Sequence, residues 1–96
     1  MNLIKWLEDW YSSQCDGDWE HSHELKIGTI DNPGWYVFIS LLDTDLKNKP
    51  FDPIILERNE NDWFQCKLNN GSFEGVGGPS NLEEIITVFK NWVELG

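Results

Sequence analysis

Three side chains in a short stretch of this 96-residue chain could bind a metal or carry out a reaction: the thiol of Cys15 and the imidazoles of His21 and His23. They lie in Q-C-D-G-D-W-E-H-S-H, residues 14–23, with Asp16, Asp18 and Glu20 interleaved around Gly17. A Cys-x5-His-x-His spacing offers three ligands to zinc. No Cys-x-x-Cys pair accompanies it, and a fourth ligand would have to come from distant Cys66. Asp16, Asp18 and Glu20 imitate the opening of a calcium loop, but His21 stands where that loop needs glycine and Ile27 where it needs a bidentate glutamate, so calcium is excluded. Cys15 with His21 makes a nucleophile and a base, yet no orienting third group or oxyanion-hole loop is evident. Paired carboxylates beside tryptophans point to sugar chemistry, but a chain this short has little room for a cleft with two opposed acids. No enzyme, metal or cofactor is therefore expected. A small metal- or carbohydrate-binding module using residues 15–23 stands as the alternative to a protein-binding role.

The elements that must position this stretch are legible on both sides of it. Leu3, Trp6, Leu7, Trp10 and Tyr11 recur at helical spacing with Lys5, Glu8 and Asp9 opposite, which predicts an amphipathic helix ending near Gln14. Residues 24–30 (E-L-K-I-G-T-I) alternate as a half-buried strand. Asp31-Asn32-Pro33-Gly34 reverses the chain, and residues 35–42 (W-Y-V-F-I-S-L-L) form a central strand covered at least partly on both faces. Residues 43–52 are a polar connection carrying Pro50. Two more strands follow, over residues 54–58 and 63–68, and Asn69-Asn70-Gly71 signals a hairpin because Asn and Gly tolerate positive φ. A short strand near Phe73 comes next, with Gly75, Gly77 and Gly78 loosening the backbone after it. Ser80 and Glu83 then make a capping box for a last helix, whose stripe of Leu82, Ile85, Ile86, Phe89, Trp92 and Val93 faces the core. Tight turns without crossover helices make the sheet antiparallel. The expected class is α+β: an N-terminal helix, a four- to five-stranded antiparallel meander sheet and a C-terminal helix, in one domain over residues 1–96.

Composition narrows the partners. Seven Lys and Arg against seventeen Asp and Glu give a formal charge of −10, which repels nucleic acid and favours encounter with a basic protein. Six Trp and five Phe supply enough apolar surface to offset chain entropy. No apolar run is long enough for a membrane span, and the start lacks a basic-then-apolar leader, so a cytoplasmic protein without membrane contact is expected. Cys15 and Cys66 are read as reduced, since two cysteines make no disulfide framework.

Four segments together carry a family resemblance: W-Y-S-S-Q-C-D-G-D-W-E-H at residues 10–21, D-N-P-G-W at 31–35, E-N-D-W at 60–63 and G-G-P-S-N-L-E-E at 77–84. In this order, across nearly the whole chain, they resemble the Immunity protein 53 (Imm53) family of bacterial polymorphic toxin systems. One departure is His23, where the family pattern leads one to expect an aromatic residue such as Tyr; this speaks against a His-x-His metal site. The resemblance implies a protein made beside a secreted toxin, which binds that cognate toxin and protects the producing cell.

Charge adds that the toxin would be basic, a nuclease being one such class, with the inhibitor's acids imitating phosphate. The candidate partner-binding residues are Asp16, Asp18, Trp19, Glu20, His21 and Glu24, with Glu60 and Asp62 as neighbouring acids. Trp19 is either the anchor of that face or an indole capping the core.

Overall fold

The computed structural model describes residues 2–95, and the periodic segments form the elements their patterns predict. Helix α1 (Leu3–Gln14) opens on Asn2, whose side chain accepts the Lys5 N–H at 2.9 Å and so satisfies one of the amides a helix start leaves unpaired. Its Leu7 and Trp10 are buried, Leu3 and Trp6 pack on the core edge, and Lys5 meets Glu8 and Asp9 on the wet side. After the one-turn helix α2 (Trp19–Ser22), strands β1 (Leu25–Ile30) and β2 (Gly34–Ser40) form a hairpin with Ile30 opposite Gly34. The turn between them contains a cis Asn32–Pro33 bond.

Strands β3 (Ile54–Asn59), β4 (Asp62–Asn69) and β5 (Ser72–Gly77) follow as a second antiparallel run. At the β4–β5 turn both Asn70 (φ 51°) and Gly71 (φ 80°) are left-handed, the geometry a primed hairpin turn needs and the reason for Asn-Gly there. The five strands make one sheet in the order β1-β2-β5-β4-β3, antiparallel throughout. The order departs from a simple meander at one place, because β2 pairs with β5 and the chain from Leu41 onward must travel to the far edge before β3 begins. That connection is not merely polar. It buries Leu41 and Leu46, and it is fastened to the last helix by the Trp92 indole N–H donating to the Pro50 carbonyl at 2.8 Å. Lys49 adds an ammonium on the helix's terminal carbonyls, donating to Trp92 at 2.6 Å and also to Leu95.

Helix α3 (Leu82–Glu94) lies across β2, β5 and β4, with α1 beside it. Phe73 and Phe89 are fully buried at the centre, and Trp6, Trp10 and Trp92 meet Phe89 with ring centroids 5.0 to 6.2 Å apart. Two expectations fail at the seat of α3. Gly75 and Gly77 do not loosen the chain after the last strand but lie inside β5, where a Cβ on Gly75 would stand 2.4 Å from Ile85 Cγ2. These glycines let the helix sit close on the sheet. Ser80 and Glu83 form no capping box either: α3 starts one residue later, on Asn81, and the Asn81 side chain turns inward instead of capping. The cover expected on both faces of β2 is uneven, because both long helices lie on one face and leave Phe38 half-buried and Tyr36 exposed on the other, which no helix covers.

Candidate functional site

The loop from Cys15 to Glu24 is organised by its own acids. Asp16 Oδ1 accepts the N–H groups of Asp18 at 2.9 Å and Trp19 at 3.0 Å, while the Glu20 carboxylate reaches back to the N–H groups of Asp16 at 3.0 Å and Gly17 at 3.0 Å. Reciprocal pairing of this kind closes a helix start, and Gly17 at φ 97° permits the bend. Both carboxyls are held below their ordinary range, Asp16 by the Trp19 and Asp18 amides, Glu20 by its own backbone amide and those of Asp16 and Gly17. Asp16 and Glu20 thus keep their charge while their oxygens are largely committed. Asp18 and His21 project into solvent with no side-chain hydrogen bond among the described residues.

Trp19 is not a surface anchor. The indole is 4% exposed, stands edge-on to Trp10 and Tyr11 with centroids 6.4 and 6.0 Å away, and donates its N–H to the Leu42 carbonyl at 3.0 Å. A buried ring has no area to offer a partner, so Trp19 caps the core. His23 completes the clamp: its ring lies 5.8 Å from the Trp19 ring, Nε2 is 3.0 Å from Asp43 Oδ2 and Nδ1 is 3.3 Å from Ser40 Oγ. It therefore does an aromatic residue's packing while tying the loop to the end of β2.

Ligands and nucleophile do not converge. The Cys15 thiol donates to the Tyr11 carbonyl at 3.4 Å, His23 is committed to Asp43 and Ser40, and His21 faces out. Among the described residues no three His, Cys, Asp or Glu side chains gather where a metal ion could be held. Cys66 cannot supply a fourth ligand, since it is buried in β4 and burial pushes its thiol up to about 12. Neither cysteine is in a disulfide.

The acids grouped by sequence separate in space. The 15–24 loop abuts the end of β2 at Leu42 and Asp43, whereas Glu60 and Asp62 sit on the β3–β4 turn. That turn lies at the other end of the sheet, where Phe64, Gly77 and Trp35 share a row. Trp35 and Ser40 are five residue steps apart along β2, about 17 Å. Glu60 is exposed there, while Asp62 belongs to a structural cluster. Arg58 donates to Asp62 at 2.7 Å and to Glu84 at 2.7 Å, and Asn81, 1% exposed, donates to Asp62 at 2.9 Å and Glu84 at 2.8 Å while accepting the Trp63 N–H at 3.2 Å. Asn81 and Arg58 hold Asp62 below the ordinary carboxyl range, and Arg58 and Asn81 do the same for Glu84. The two acids in turn raise Arg58. Glu24 pairs with Lys26 at 3.1 Å.

What joins Asp16, Asp18, Glu20 and His21 at their end of the sheet is the connection after β2, through Leu42 and Asp43, with Asp45 exposed two residues further along it. Residue order carries no sign of this partnership, because the two loops are brought together by long-range bonds, Trp19 to Leu42 and His23 to Asp43. The site is an acidic, two-loop surface mounted on a buried indole, without the converging side chains of a catalytic centre.

The sequence model of the Immunity protein 53 family matches residues 4–94. The chain belongs to that family. No protein of curated function and no solved structure matches it. The segments that carry the Immunity protein 53 resemblance have visible structural tasks. Residues 10–21 supply Trp10, Trp19 and the self-closed loop. The other three meet at one corner: Trp35 donates its indole N–H to the Pro79 carbonyl at 2.9 Å, Gly78 donates to the Trp63 carbonyl at 2.9 Å, and Asn81 holds Asp62 and Trp63. A Cβ on Gly34 would stand 2.1 Å from the Gly77 carbonyl oxygen, so this corner closes only around glycine.

Proposed function

We propose that this immunity protein neutralises a cognate secreted bacterial toxin by binding it and covering its active or substrate surface, with no chemistry of its own. The family supports the immunity role. The observation that carries the choice of face is the two-loop acidic surface of Asp16, Asp18, Glu20, Asp43 and Asp45, held rigid by Trp19 and His23. A preorganised acidic face costs little ordering entropy on binding and steers a basic partner from a distance. A nuclease, whose own surface is built to attract phosphates, is the toxin class such a face would engage. Asp18 and Asp45 are the residues to reverse, because Asp16 and Glu20 hold the loop together.

The test is stopped-flow association with the catalytically inactivated toxin domain encoded by the adjoining reading frame, alongside a growth assay in which the active toxin domain is expressed with and without this protein. Wild type should rescue growth. Asp18→Lys with Asp45→Lys should slow association by roughly tenfold at low salt, with the difference shrinking as salt is added. Equal association rates at low salt refute the steering face, and failure of wild type to bind or protect refutes the immunity role for that toxin.

A further inference from the structure

The two edges of the sheet are treated differently. The β3 edge is blunted by Pro53 before it, by a register irregularity between Glu57 and Asn59 and by Arg58, which is held down by Asp62 and Glu84. The β1 edge has none of these, and its pairing with β2 is regular over all six residues. The Ser40 amide donates to the Glu24 carbonyl at 3.0 Å, which sets the phase of the ladder: residues 26, 28 and 30 bond toward β2, and Leu25, Ile27 and Thr29 turn their N–H and C=O groups to the open side. Beside that open edge runs a groove of about 370 Å³ between α1 and β1. Ile4, Leu7, Tyr11, Leu25 and Ile27 form its floor and wall, with Ile4 52% and Tyr11 and Ile27 each 38% exposed. Its other lining residues are Glu8, Glu20, Glu24 and His23, and no Lys or Arg is among them.

We infer that the β1 edge takes up an extended segment of the toxin as a sixth strand, one whose groove-facing side chains are apolar, with Lys or Arg on that face at its ends. Its backbone would pair with Leu25, Ile27 and Thr29. Its groove-facing apolar side chains would lie on Ile4, Tyr11 and Ile27, and a Lys or Arg on that same face at either end would meet the rim glutamates Glu8 and Glu20. Strand addition derives affinity from main-chain bonds and selectivity from alternate side chains, which matches an open ladder with an apolar, acid-rimmed groove alongside. The charge excludes a second copy as the favoured occupant, since two chains of −10 would bring their own rims of glutamate together. This placement rests on the immunity role proposed above and specifies its contact.

Two variants test it against the same inactivated toxin domain by calorimetry. Thr29→Pro removes an outward N–H that β2 does not use, a position where an edge strand tolerates proline. Ile4→Lys puts a like charge into the groove from an exposed wall position. Each should weaken binding by roughly tenfold or more. In the wild-type complex the amides of Leu25, Ile27 and Thr29 should gain protection from hydrogen exchange. Wild-type affinity in both variants, or protection confined to other strands, overturns the strand addition and leaves the immunity role standing. Absence of any complex with wild type overturns both. A free-protein dimer in sedimentation that Thr29→Pro abolishes overturns the choice of occupant. Should Thr29→Pro not fold, Ile4→Lys and the exchange pattern decide.

Discussion

Replacing Trp19 by alanine should separate a core cap from a binding anchor, and the structure gives the size of the effect. The indole is 4% exposed, so the substitution empties a buried site the size of a large aromatic ring, a change that costs about 3–5 kcal/mol. Part of this is the two edge-on contacts with Trp10 and Tyr11, each about 0.5–1.5 kcal/mol, and part is the hydrogen bond to Leu42, about 0.5–1.5 kcal/mol. With a urea m-value of about 1–2 kcal/mol/M, the unfolding midpoint should fall by roughly 1.5–5 M. Far-ultraviolet circular dichroism should follow the transition, because six tryptophans make fluorescence ambiguous. Trp19→Phe keeps most of the ring but strands the Leu42 carbonyl, and should cost about 1–3 kcal/mol. Toxin affinity of the remaining folded Trp19→Phe protein should stay near wild type. A Trp19→Ala midpoint equal to wild type together with lost toxin binding would refute the core assignment.

Further predictions concern the seat of α3 and its corner. Gly75→Ala forces a Cβ against Ile85 and should destabilise by about 1–3 kcal/mol in urea unfolding; a neutral result would mean α3 is not held that close. Asn81→Ala leaves the Trp63 amide unsatisfied and should cost about 1–3 kcal/mol, whereas Ser80→Ala, at an exposed residue outside any cap, should stay within about 0.5 kcal/mol. A larger loss for Ser80→Ala than for Asn81→Ala would restore the capping box. Asp62 and Glu84 titrate lower folded than unfolded, so their contribution is present above the ordinary carboxyl range and is lost as pH falls through their depressed values. Removing the guanidinium with Arg58→Ala should therefore destabilise at neutral pH and shrink toward no effect in acid, as read from urea midpoints across pH; a difference that grows in acid would contradict the assigned cause.

Much of this fold is local enough to be read from residue order. Both long helices follow from apolar spacing, since a helix must bury one stripe, and α1 ends at Gln14 as that spacing predicts. The Asn70-Gly71 turn follows from the two residues that accept positive φ, and the family from four short segments whose types and order are shared. Tertiary structure alone decided which segments became neighbours. Pairing β2 with β5 put both long helices on one face, left Tyr36 and Phe38 with no helix over them and sent Gly75 and Gly77 under α3. The same packing took the Asn81 side chain into a buried cluster, turned Trp19 inward and divided the acids, with Asp43 joining the 15–24 loop and Glu60 and Asp62 at the far end. Periodicity reports how each segment presents its own faces. It carries no information on which distant segment covers them, because that is set by how the faces of all the segments can be buried together in one core.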